Sequence, residues 1–379
     1  MTPAAAIDAL GARCYRSFGG SIAFKQKHPR EVVPTSTATP IDPLAGEDWE
    51  QLVSKFPDAT TFHTSAWCRV LVETYGHKPY YFRFAGEAGT TALLPLLEVQ
   101  SKITGRRGVS LPFSDVCPAL LSPRFDHNLL VNELSSLAQT RGWKHFELRG
   151  AKFLRESAPG SSTFFGHSLD LSAGFERVEE AFAANVHRNL RKAQRSRVEV
   201  EITTTKKALR EFYQLLARTR RRHGVPPQPL RFFEKIHEHL FGQNRGFLVL
   251  ARHEGRAIAG AIFFHFGNNG LFKFGASDER QQELRANNLV MREAIRHLSG
   301  MGVKRLHFGR TDRSNEGLRR FKLAWGAEEE IIEYYRFEPA TRRWATAGSD
   351  VAERAGAIFR NLPLLANRLI GTIAYPHLD

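Results

Sequence analysis

The chain is 379 residues long, 42% apolar and 11% aromatic, enough to bury the cores of two ordinary domains and too apolar for a disordered polypeptide. Fifty-four Lys and Arg against 39 Asp and Glu leave a formal charge of +15 and a sequence pI near 10.0, which favours anionic partners: nucleic acid, phosphate-bearing substrates or an acidic membrane face. Three scattered cysteines, Cys14, Cys68 and Cys117, outline neither a disulfide framework nor a thiolate metal site, and no apolar run reaches the roughly 20 residues that span a bilayer. A soluble protein of the reducing cytoplasm is expected, with contact at the inner face of the membrane as an option.

Residues 1–42, ending in VVPTSTATP, read as a basic arm and linker without the apolar core of a signal peptide. SAWCRVLVETYG then reads as a helix capped by Ser65, with Trp67, Val70, Leu71 and Tyr75 on one face. Strand-like runs follow at PYYFRFAGE, TTALLPLLEV and VSLPFSD. A helix from about His127 to Arg141 ends at Gly142 and leads into the strand WKHFELRG, and TFFGHSLDL closes a first half spanning 43–171.

Residues 172–197 form a basic helical connection containing NVHRNLRKAQRSR, before VEVEIT opens a second half, 198–340. Leu209, Phe212, Tyr213 and Leu216 make 207–222 an amphipathic helix. Three strand-length runs between Gly246 and Ser277, broken at Glu254-Gly255 and Asn268-Asn269-Gly270, spell an antiparallel meander. Met291, Ala294, Ile295 and Leu298 mark the next helix, and VKRLHFGRT resumes the sheet. Leu318, Phe321 and Trp325 then need a helix from about Asn315, which Gly326 stops. Lys322 lies one residue off that stripe, either running along the core edge with its ammonium in water or pointing its charge into a cleft. The tail, 341–379, alternates apolar and basic residues about Pro363 and either packs back on a domain or lies on an acidic membrane.

The halves look like copies. TRGWKHFELRG, 140–150, aligns without gaps on GMGVKRLHFGR, 300–310, and each half also runs a strand into Ser-Asp, at Ser114-Asp115 and Ser277-Asp278. A duplicated α/β unit with mixed, mostly antiparallel sheets flanked by helices accounts for both matches. There is no G-x-S-x-G elbow, phosphate loop, H-E-x-x-H or paired C-x-x-C, so chemistry must come from positioned polar groups, with no metal. Asp278, Arg310 and Asp312 fall at the ends of neighbouring predicted strands, where they either converge on a cleft or form an internal salt bridge.

FKFGASDE, NNLVMREAIRHL, LHFGRT and GLRRFKLAWGAEE in the second half, FHTSAW and LPFSDVCPALLS in the first, and HRNLRKAQRSRVEVE at the joint resemble the FemAB/FemX-like acyltransferases, a branch of the GNAT superfamily with two tandem GNAT-like domains. The best-known relatives move an amino acid from aminoacyl-tRNA to an amine of a peptidoglycan precursor, and others are tied to polysaccharide export. The resemblance implies an N-acyltransferase acting on a phosphorylated or lipid-linked cell-envelope precursor. It places Phe321 and Lys322 at the acyl-transfer centre, where the Lys322 cation would sit near the developing oxyanion or the donor's phosphate; the amine would lose its proton to a carboxylate such as Asp278 or Asp312, or to the substrate itself. Arg188, Arg191 and Lys192 would clamp a diphosphate or a tRNA end, and Arg310, Trp67 and Asp115 are further candidates for substrate binding. Asp115 matches an acidic family position but reads equally as the cap of a turn before Pro118. No tightly bound cofactor is implied. The donor is aminoacyl-tRNA or acyl-coenzyme A, and ERQQELRANN lacks the glycines with which coenzyme A users cradle pyrophosphate. The rivals are acetyl-coenzyme A-dependent transfer to a sugar amine and a non-catalytic basic module for RNA or anionic glycan.

Overall fold

Proline and glycine set most of the element boundaries in the computed structural model, which describes residues 36–46, 48–87, 89–346 and 362–377. Residues 1–35 of the expected arm lie outside the described residues, and the end of the supposed linker is a strand, β1 (Thr37–Ile41). There follow α1 (Asp48–Val53), α2 (Ser65–Tyr75), β2 (Lys78–Pro79) and β3 (Tyr81–Gly86). The α2 cap is Thr64, one residue before the expected Ser65, because its hydroxyl is the one that accepts from the Trp67 N–H. The run TTALLPLLEV is cut at Pro95, which cannot donate to a ladder, into β4 (Gly89–Leu94) and β5 (Leu97–Ser101) of different sheets. After β6 (Gly105–Val109), Leu111 and Phe113 adopt positive φ, so the expected strand VSLPFSD breaks down into an irregular segment. Next come β7 (Leu120–Leu121), α3 (His127–Arg141), β8 (His145–Arg149) and β9 (Ser162–Asp170).

The basic connection is two helices, α4 (Phe175–Glu180) and α5 (Ala184–Arg195). The second half contains β10 (Glu199–Thr203), α6 (Lys206–Arg222), α7 (Leu230–His239), the meander β11 (Gly246–His253), β12 (Arg256–Phe266) and β13 (Asn269–Ser277), then α8 (Ala286–Gly300). It ends with β14 (Arg305–His307), β15 (Thr311–Asp312), α9 (Glu316–Leu323), β16 (Glu328–Glu338) and β17 (Arg343–Trp344), and α10 (Leu364–Ala374) lies in the tail. The expected order of elements lacked α7, whose start is set by Pro229 and whose Phe232, Phe233 and Ile236 are buried.

A small sheet, β1-β3-β4-β7, stands beside a long one, β10-β11-β12-β13-β14-β9-β16-β8-β6-β5-β2. The long sheet repeats itself residue for residue. Gly108 faces Phe146 across the parallel pair β6–β8, Gly270 faces Leu306 across the parallel pair β13–β14, and Phe146 and Leu306 are the residues that the internal alignment superposes. The strand β9 does not close the first half. It lies between β14 and β16 of the second half, while β16 lies between β8 and β9, so each half lends its last strand to the other.

Three apolar clusters hold this arrangement. One packs α2, α6 and α7 on the sheet around Trp67, Phe232 and Phe264, another packs α5, α8 and Trp325 on β11 and β12, and the third seats α3 on β8. Burial of so many Leu, Ile, Phe and Trp side chains, each contributing about 1.5–3 kcal/mol, is the dominant favourable term. The feature that makes room for chemistry is a local failure of pairing. The strands β13 and β14 pair only over Asn269–Leu271 and Arg305–His307, and then Gly309 turns the second strand away with φ 71°. The next strand, β15, pairs with β9 instead, leaving Phe272–Ser277 without a partner on that edge.

Candidate active site

The wedge between the diverging strands holds a cavity of about 750 Å³, with β13 on one wall and Phe308, Gly309, Arg310 and Asp312 on the other. A helix built on the spacing of Leu318, Phe321 and Trp325 runs beside it. Asn315 caps α9 by accepting from the Leu318 N–H (3.1 Å), and Gly326 ends the segment with φ 79°. Lys322 is the one fully buried side chain of α9, only 1% exposed, and its ammonium donates to the Gly309 carbonyl (2.8 Å) and the Arg310 carbonyl (3.2 Å). The cleft reading therefore holds over the snorkelling one. Burial lowers its pKa to about 8, against the opposing pull of the Asp115 and Asp312 carboxylates. Two of its three N–H donors are used on carbonyls, and the side chain also lines the cavity.

Asp115 does not cap a turn. Its carboxylate reaches from the first half to accept from Lys273 of β13 (2.9 Å), and this ion pair closes the end of the wedge. Burial pushes the Asp115 carboxyl up, but Lys273, Arg310 and His307 more than offset that and hold it below the ordinary carboxylate range. The Tyr334 hydroxyl from β16 donates to the Asp115 carbonyl (2.7 Å) and accepts from Arg310 (2.8 Å), whose guanidinium also lies over the Phe164 ring at 4.5 Å.

Side chains alternate along a strand, so Phe272 and Phe308 face the wedge while their neighbours Leu271 and His307 face the other side of the sheet. There a second cavity, about 820 Å³, is lined by Phe62, Val116, Leu271, His307 and Glu330, and Asp115 borders both. The His307 Nδ1 accepts from the Gly309 N–H (3.0 Å), which places the proton of the neutral ring on Nε2. Burial, with Lys322 adding to it, keeps that ring neutral at physiological pH despite the nearby Asp115 and Glu330. A third cavity, about 460 Å³, opens at the N-terminus of α8 between Asn185, Asn189, Arg285, Asn287 and Arg320.

The structure brings together Lys322, Phe321, Arg310, Asp312 and Asp115 around the wedge. Asp278 is not among them: its carboxylate accepts from the Arg280 N–H (3.0 Å), capping the turn that leads to α8, and it borders the third cavity. Arg188, Arg191 and Lys192 are exposed on α5 and line none of the three cavities, to which that helix contributes Asn185, Val186 and Asn189. Trp67, expected at the substrate, is sealed in the core with its ring against Phe62 and Phe232. Sequence reasoning missed Lys273, His307 and Tyr334. Lys273 and His307 had a signal, a lone polar residue inside the apolar runs LFKFGAS and LHFG, whereas Tyr334 differs in no visible way from its neighbour Tyr335.

The Acetyltransferase (GNAT) domain family matches residues 180–329. No curated protein matches the chain by sequence. Among solved structures, the chain is similar to FemX, at 13% identity over 78% of this chain and 96% of that one, with a TM-score of 0.63. A tandem GNAT protein from the clavulanic acid biosynthesis pathway aligns at 12% identity over 83% and 100%, TM-score 0.52. L-PGS from Bacillus licheniformis aligns at 13% identity over 86% and 98%, TM-score 0.50. With the exchanged strands, the wedge and the repeated register, these likenesses lead to one conclusion: the chain carries a GNAT acetyltransferase domain over residues 180–329 within a FemX-like tandem GNAT fold.

Proposed function

We propose that this protein is an N-acyltransferase that moves an acyl or aminoacyl group from a phosphate-bearing carrier to an amine of a cell-envelope precursor, with bond exchange at the closed end of the wedge. The reading rests above all on the buried Lys322 ammonium, fixed by the Gly309 and Arg310 carbonyls where the strands part. The donor carbonyl lies in the wedge, the amine nitrogen adds to its carbon, and the oxygen that becomes negative is met by the third N–H of Lys322. The carrier then leaves with the electron pair of the broken bond. The proton shed by the amine passes to Asp312, the cavity-wall carboxylate that makes no ion pair among the described residues. Asp115, held by Lys273, acts as the fixed charge that keeps Lys322 protonated.

The carrier's phosphates are assigned to the third cavity. There the N-terminus of a 15-residue helix meets Arg285 and Arg320, so that helix dipole and guanidinium groups stand in for the missing glycine loop. Acyl-coenzyme A and aminoacyl-tRNA both satisfy this chemistry, and calorimetry with coenzyme A beside a charged-tRNA binding assay separates them. Mass spectrometry of small molecules that co-purify with the intact protein identifies the acceptor. In Lys322→Met, transfer to that acceptor should fall by a factor of about 100 or more, the usual loss for one donor to an oxyanion. Transfer at the parental rate would remove Lys322 from the reaction. Tight, salt-sensitive tRNA binding with no transfer from any donor would favour the non-catalytic reading.

A further inference from the structure

Among the described residues eight large apolar side chains are exposed, and they are not scattered evenly. Ile202, Met301 and Leu323 stand apart, while Ile103, Val225, Leu365, Leu369 and Ile373 belong to three neighbouring segments. Leu365, Leu369 and Ile373 recur every four residues along one face of α10 and are 78%, 62% and 63% exposed. The opposite face of α10 is fixed to the protein. Asn367 and Gly371 are buried there, Gly371 against Pro226 and Pro227, and Arg368 covers the Tyr213 ring at 4.9 Å. Beyond the helix, the Tyr375 hydroxyl donates to the Pro226 carbonyl (3.0 Å) and the His377 carbonyl accepts from Arg107 (3.0 Å), which ties the tail to both the Val225 loop and the β5–β6 hairpin. The tip of that hairpin carries Ile103, 78% exposed, between the exposed cations Lys102 and Arg106.

The three segments of this face carry charge of one sign, although Arg222 is met from outside them by Glu279 (3.5 Å). No Asp or Glu occurs in 101–107, in 218–229 or in 362–377, whereas these segments hold Lys102, Arg106, Arg218, Arg221 and Arg222. Water is a poor partner for a row of leucine and isoleucine side chains, and a second protein of ordinary composition offers no reason for a rim so predominantly cationic. We propose that α10, the Val225 loop and the β5–β6 hairpin form a docking face for an anionic phospholipid bilayer, with Leu365, Leu369, Ile373 and Ile103 entering the acyl boundary and the cations meeting lipid phosphates. Each feature matches an interfacial helix: an apolar stripe, a basic surround, and a length far short of a span. Val225 and Tyr375 also line the wedge cavity, so the docking face adjoins that cavity.

The test is co-sedimentation of the full chain with vesicles of phosphatidylcholine alone and of phosphatidylcholine mixed with phosphatidylglycerol. The protein is expected to partition onto the mixed vesicles, at least about tenfold better than onto the neutral ones. Leu365→Glu/Leu369→Glu should lose about tenfold or more, and Lys102→Glu/Arg106→Glu should weaken binding and flatten its salt dependence. Circular dichroism of both variants checks that the fold persists, and since the substituted side chains are exposed the fold is expected to survive. Parental protein that stays off both kinds of vesicle, or a helix variant that binds as the parent does, would overturn the proposal. So would sedimentation velocity showing a parental dimer that Leu365→Glu/Leu369→Glu converts to monomer without any vesicle binding, since the face would then belong to a second copy of the chain.

Discussion

Lys322 is a single buried charge that bears on stability and, in the proposed function, on reactivity. Its pKa falls from 10.5 to about 8 on folding, so between those values the unfolded chain binds the extra proton and the native state gains stability as pH rises. At neutral pH the charged side chain therefore costs on the order of 3 kcal/mol relative to its neutral form. Lys322→Met should lose activity while its stability relative to the parent, measured by denaturant titration, declines as pH rises from about 8 to 10. A difference that stayed flat over this window would mean that the ammonium is better solvated than its surroundings imply. Asp115 and Lys273 are a second case. Removing one partner, as Asp115→Asn or Lys273→Met, breaks this largely buried ion pair and, with Arg310 still beside Asp115, should cost up to about 3 kcal/mol, while the double variant should recover a good part of it. Sequence spacing was enough to bring Lys322 to notice, since its helix is spelled out by Leu318, Phe321 and Trp325. It could not reveal that Asp115 meets a residue 158 positions away, because such a pair leaves no local pattern. Trp67 failed for the opposite reason: an aromatic residue at helical spacing carries the same pattern whether it faces a ligand or a core.

At the scale of the element, α9 is only eight residues long and could not persist without its ends. Asn315→Ala removes the cap and should cost about 1 kcal/mol of stability. Because α9 carries Lys322, the same change should lower kcat more than it raises KM, and equal changes in the two would argue that the helix position does not govern the reaction. Gly309 has a sharper role. An added Cβ there would sit 3.4 Å from the Asp115 carboxylate and from the Phe272 carbonyl at φ 71°, so Gly309→Ala should cost roughly 1–2 kcal/mol and shift the carbonyl that holds Lys322. Elements whose periodicity comes from one face of burial were legible: α3, α6 and the meander stand within a residue or two of their expected places, and α8 ends at the expected Gly300. The helix α7 was overlooked because Pro226, Pro227 and Pro229 precede it and make the whole region look like loop, although proline just before a helix is a start signal. The segment after β6 is apolar enough for a strand, and nothing in its composition signals the positive φ of Leu111 and Phe113, a conformation that apolar residues other than glycine rarely adopt.

For the whole molecule, the duplication was visible in eleven aligned residues, but the exchange of last strands was not, because strand order is decided by tertiary pairing and two antiparallel partners can satisfy TFFGHSLDL equally. The long sheet should make unfolding a single cooperative event. Amide hydrogen exchange at Phe165 and Ile332, in the centre of the exchanged pair, should be as slow as at Ile262 in β12. Two separate melting transitions would show that the halves are held only loosely. Acid should destabilise the protein through its buried imidazoles. His63, His145 and His307 are pushed by burial from 6.5 down to about 4, so their contribution is intact above pH 6.5 and is lost as pH falls towards 4. Thermal midpoints measured across that range should drop, and His63→Asn should make the drop shallower. The crossing of β9 and β16 has a further consequence for the lineage of such a chain. Once two ancestral copies complete each other's β-structure, neither can be discarded, split onto its own gene or replaced wholesale without exposing a raw hydrogen-bonding border, so drift in one copy must be answered in its twin even where only one performs chemistry.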